Sequence, residues 1–71
     1  MEKKNEKFKR LAEQRTNKII SMISLLGNLS NKRNYEYNDE EVTRMFNAIE
    51  KEFMKAKTRF KFERKSKKFK L

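Results

Sequence analysis

The chain has no cysteine and no histidine. Without cysteine there is no disulfide framework and no thiolate metal site, and a cytoplasmic setting fits. Without either residue the thiolate nucleophile and the commonest general base are missing, and the serines have no neighbouring base. Glu50 and Glu52 point to different sides of a helix, so they do not form a working carboxylate pair. The acidic run of residues 39–41 lacks calcium-loop spacing. These absences predict a protein that is not an enzyme and uses no cofactor or metal. Proline is absent and glycine occurs once, at Gly27, so little in the chain breaks a helix. Long apolar runs are also missing. Residues 19–26 form the longest, and Ser21 and Ser24 interrupt it, so it is too short to span a bilayer. Residues 1–10 are charged with no apolar run behind them, which is not the pattern of a secretory signal.

What is present is helical periodicity. Charged residues make up 42% of the chain and hydrophobic ones 35%. That ratio approaches the composition of disorder, but the apolar residues are placed with a period that favours folding. At about 100° per residue, Phe8, Leu11, Ala12, Ile19, Met22, Ile23 and Leu26 fall on one stripe. Arg15 is the polar intrusion in it. Val42, Met45, Phe46, Ile49, Phe53, Ala56 and Phe60 form a second stripe, which fails after Phe60. The spacing predicts helices over residues 4–26 and 39–62, with residues 27–38 as an ordered loop. The fold class is therefore all-α: an antiparallel two-helix hairpin over residues 1–62 and a basic tail over 63–71.

The loop carries the signals that divide the helices. Gly27 suits a left-handed residue just past a helix end, with Leu29 as the apolar contact behind it. Asn38 precedes Asp39, Glu40 and Glu41, which predicts an N-cap followed by acidic groups that the helix dipole favours. Tyr37 and Val42 are spaced as a hydrophobic staple. Asn28, Ser30, Asn31 and Asn34 favour turns, and a short extended piece fits around Tyr35 and Tyr37. Facing Leu26 with Val42 across the loop sets Ile19 opposite Ile49, Phe8 opposite Phe60, and Arg15 opposite Phe53 beside Glu52. That register predicts an Arg15–Glu52 ion pair, because a lone charge on an apolar stripe is costly. Two helices of this size bury little surface, so a homodimer or a protein partner is expected to complete the core.

Charge is uneven along the chain. The net is +10 overall. By segment it is +3 over residues 1–10, +2 over 11–38, −3 over 39–54 and +8 over 55–71. Such an imbalance predicts an anionic partner. Lys61, Phe62, Arg64, Lys65, Lys67 and Lys68 mix cations with rings, a pattern that neutralises phosphates and stacks on exposed bases. The plainer reading is a solvated end. A lipid surface would need a sustained amphipathic face that these residues lack, so no membrane partner is expected. In the loop, Lys32, Arg33 and Tyr35 form a second candidate contact surface. Its plainer reading has the tyrosines packing over the hairpin end. A helix-turn-helix is excluded by the long connection and the missing third helix, and a ribbon-helix-helix by the missing leading strand.

Phe8, the run LAEQR at residues 11–15, Asn17 and LLGNLSNKRNYEY at residues 25–37 resemble small proteins of bacterial plasmids, phages and other mobile elements. The resemblance spans residues 8–60, and GNLSN followed by YEY is its most specific part. It implies a setting and no mechanism. Taken with the charge, the expected function is a nucleic-acid-binding accessory protein of a mobile element, acting on DNA or RNA. The alternative is a small inhibitor or regulator that binds a protein of the nucleic-acid machinery, as an anti-CRISPR would.

Overall fold

The computed structural model describes residues 1–60. Its elements are α1 (Lys4–Gly27), a single 3-10 turn (Asn28–Ser30) and α2 (Asp39–Arg59). Among the described residues there is no strand, so the protein is all-α. The expected second helix included residues 61 and 62, which lie outside the described residues, as does the basic tail. The chain divides into two units, Met1–Glu36 and Tyr37–Leu71.

In the first unit, Lys3 is extended and precedes the helix. Its N–H donates to Glu6 Oε1 at 3.2 Å, and its carbonyl accepts from the Lys7 N–H at 2.9 Å. Lysine has no side-chain acceptor, so the free N–H groups of the first turn get no side-chain cap from Lys3. Glu2 instead ties the leading residues to the helix surface. Its carboxylate accepts two hydrogen bonds from the Arg10 guanidinium, at 2.9 and 3.0 Å.

The end of α1 corrects the expectation for Gly27. This residue has φ −61° and ψ −28°, ordinary right-handed helical values. It is the last residue of α1, not a left-handed stop. The chain tightens into the 3-10 turn, and the Asn28 N–H approaches the carbonyls of Ser24, Leu25 and Leu26. The helical path ends at Asn31, which is extended with ψ 99°. There an asparagine side chain makes the turn: Asn31 Oδ1 accepts from the Arg33 N–H at 3.0 Å. The Asn31 carbonyl accepts from the N–H groups of Asn34 and Tyr35, at 3.1 and 3.0 Å. A side chain that satisfies backbone donors two residues on competes with helix continuation.

The second unit opens as expected. Asn38 is extended, and its Oδ1 accepts from the Glu41 N–H at 2.8 Å. Glu41 Oε1 reciprocates by accepting the Asn38 N–H at 2.9 Å. This is a complete capping box. Tyr37 and Val42, at the two positions of a staple, are both half-buried among exposed neighbours. Asp39, Glu40 and Glu41 occupy the first turn and Lys57 and Arg59 the last, so charge at both ends opposes the helix dipole. Thr58 donates its hydroxyl to the Met54 carbonyl at 2.8 Å.

Among the described residues none is buried. Leu11, Ala12 and Leu26 in α1 and Val42 and Met45 in α2 are half-buried. The other large members of both apolar stripes face solvent, with Phe53 59% and Phe60 62% exposed. Each stripe is a face of its own helix. No helix among the described residues is long and apolar enough to cross a membrane.

Candidate nucleic-acid interface

The turn that follows α1 presents the loop candidates. Lys32 and Arg33 are exposed, and Tyr35 is 47% exposed. Asn31 holds the backbone of Arg33 and Tyr35 by the hydrogen bonds given above. The two tyrosines therefore part company: Tyr35 is available on the surface, whereas Tyr37 is drawn in beside the start of α2. This is a cationic turn with one exposed ring, a small platform that suits a phosphate contact beside a stacked base.

Arg15 is an exposed residue of α1. Glu52, its expected partner, lies 3.7 Å from Lys55 Nζ within α2. Lys61, Phe62, Arg64, Lys65, Lys67 and Lys68 lie outside the described residues.

Electrostatics differ between the helices. In the first unit, Arg10 is neutralised by Glu2, which raises the guanidinium pKa above its ordinary value. In α2 the pairs are looser. Arg44 Nη2 stands 3.6 Å from Glu40 Oε2, and Lys55 Nζ stands 3.7 Å from Glu52 Oε1. Lys57 Nζ lies 5.6 Å from the centre of the Phe53 ring, within cation–π range. A shallow, open depression at the start of α2 is lined by Asp39, Glu40, Thr43, Arg44 and Asn47. Its mixed charge favours no one ligand.

A further set of cations emerges when the helical period is applied to charge. Arg44, Lys51, Lys55 and Arg59 share one side of α2, roughly opposite the apolar stripe at about 100° per residue. All four are exposed. The same arithmetic that finds the apolar stripe in the sequence finds this one, once it is run on lysine and arginine.

No family model matches the chain, and neither the curated proteins nor the solved structures give a match.

Proposed function

We propose that the protein is a non-catalytic nucleic-acid-binding accessory factor, of the kind carried by mobile elements. The observation that carries this reading is the charge: residues 55–71 hold nine basic groups against one acidic. The exposed turn of Lys32, Arg33 and Tyr35 supports it with a second cationic surface. Cations beside exposed rings favour backbone and stacking contacts over the reading of base edges. The mobile-element setting rests on the GNLSN and YEY resemblance.

The working form in this proposal is an antiparallel hairpin whose apolar faces are closed by a second copy of the chain. What supports it is the exposure of both stripes, because apolar surface left in water favours association. Antiparallel pairing sets the +3 of residues 1–10 beside the +8 of residues 55–71.

The test is a binding titration with single- and double-stranded DNA and RNA at several salt concentrations. Each phosphate neutralised contributes a log–log slope of roughly −0.7 to −0.9. Removing residues 61–71 deletes Lys61, Arg64, Lys65, Lys67, Lys68 and Lys70. Affinity and slope should both fall, with the helices intact by circular dichroism. Equal binding with an equal slope would exclude the tail as the contact.

A further inference from the structure

Four cations on one side of α2 stand apart from the loop and the tail. Arg44, Lys51, Lys55 and Arg59 form a row on the side roughly opposite Val42, Phe46, Ile49, Phe53 and Phe60. The two sides have different solvent requirements. Whatever covers the apolar side leaves the cationic side facing outward, so cover and cationic contact do not compete for α2. From Lys51 to Arg59 the helix carries four basic residues and one acidic, Glu52.

We propose that this row is a phosphodiester-binding ridge, in contact with one strand of a nucleic acid along the axis of α2. The inference rests on the nucleic-acid reading above and assigns it a site in the helix itself. The dimensions agree with that partner. Fifteen residues separate Arg44 from Arg59, which at 1.5 Å per residue is about 22 Å. Successive phosphates of one strand lie roughly 6–7 Å apart along the backbone, of which about 3.4 Å is rise along a duplex axis, so the ridge spans about three or four phosphates. Lys51, Lys55 and Arg59 recur every four residues, about 6 Å apart, close to the spacing of successive phosphates along a strand.

The cations are open to exchange of partners. Arg44 and Lys55 side chains are 76% and 61% exposed, and their carboxylates lie at 3.6 and 3.7 Å. Exposed pairs of this length contribute little. A phosphate strand can displace them at small cost. Among the described residues Lys51 and Arg59 have no acidic partner within ion-pair distance. Arg10, by contrast, is engaged by both oxygens of Glu2. In sequence the ridge is followed directly by basic residues 61–71.

The test uses the full chain and the double substitution Lys51→Gln with Arg59→Gln, which keeps long helix-forming side chains. A control, Lys9→Gln with Lys18→Gln, removes the same charge from opposite faces of α1. Binding to short DNA duplexes, RNA duplexes and single strands is measured against salt. The ridge variant should lose about 1.4 to 1.8 from the slope, with an affinity loss on the order of tenfold or more at 0.1 M salt. The control should change less, and circular dichroism should be unchanged in both. The arms also show whether the strand is DNA or RNA. If the parent binds and the ridge variant matches it, or the control falls equally, the ridge is overturned while the nucleic-acid reading stands. If the parent binds none of these at low salt, the nucleic-acid reading fails and takes the ridge with it.

Discussion

Asn38 starts α2 with two reciprocal hydrogen bonds to Glu41, while Lys3 stands before α1 with no acceptor to offer. The difference continues along each helix. α2 has acidic residues in its first turn and basic ones in its last, and its apolar stripe is unbroken from Val42 to Phe60. α1 has one acidic residue in its first turn, no basic residue in its last, and Arg15 within its stripe. Local instructions for being a helix are therefore concentrated in α2. α1 depends more on its good helix formers and on whatever covers its apolar side. The same contrast separates their polar faces. In α2 four cations line up roughly opposite the apolar stripe; in α1 Lys4, Lys7, Arg15 and Lys18 fall on or beside the apolar stripe, and Arg10 is paired with Glu2.

The strongest way to break the comparison is to damage the apolar face of α2. Phe53→Asp sets a charge at its centre. If a second copy covers that face, the change should abolish association and remove cooperative melting, a loss on the order of 3 kcal/mol or more. Lys51→Gln, one face away, should leave melting within about 0.5 kcal/mol. Sedimentation and thermal melts followed by circular dichroism read both. A Phe53→Asp protein that sediments and melts like the parent would show that this face is not a buried one.

The cap contrast is sharper and smaller. Asn38→Ala removes the acceptor for Glu41 N–H and strands half of the capping box, which should cost about 1 kcal/mol. Lys3→Ala removes no acceptor and should cost almost nothing. Urea titrations of both variants measure the difference directly. Equal costs would mean that α2 is not better encoded at its start than α1.

These features were legible to different degrees, for physical reasons. An asparagine with a glutamate three residues on has one common use before an apolar-periodic run, so Asn38 and Glu41 were readable. Both apolar stripes were readable because the period of a helix is fixed. Periodicity names the face that needs cover and is silent on what covers it, so pairing and assembly do not follow from it. The cationic ridge escaped because period was read for apolar residues alone, while charge was summed along the chain. A linear sum over residues 39–54 gives −3. It hides that Arg44 and Lys51 lie on the same side as Lys55 and Arg59.

The end of α1 offers the smallest effect and the clearest sign. Glycine after an apolar run ordinarily marks a left-handed stop, where alanine is strained. Gly27 instead has helical angles, and a Cβ built on it meets no atom within 4 Å. Its one consequence is then the extra freedom it gives the unfolded chain. Gly27→Ala should remove that freedom and stabilise the protein by about 0.4–1 kcal/mol. The stop itself belongs to Asn31, whose Oδ1 holds the Arg33 N–H at 3.0 Å. Asn31→Ala gives up that bond and should destabilise by about 0.5–1.5 kcal/mol. The two variants therefore move the thermal midpoint in opposite directions. If both destabilise, the chain reverses at Gly27, and the turn made by Asn31 is secondary to it. If Gly27→Ala stabilises and Asn31→Ala destabilises, the helical path ends four residues later, with an asparagine side chain and not a glycine backbone as its terminator.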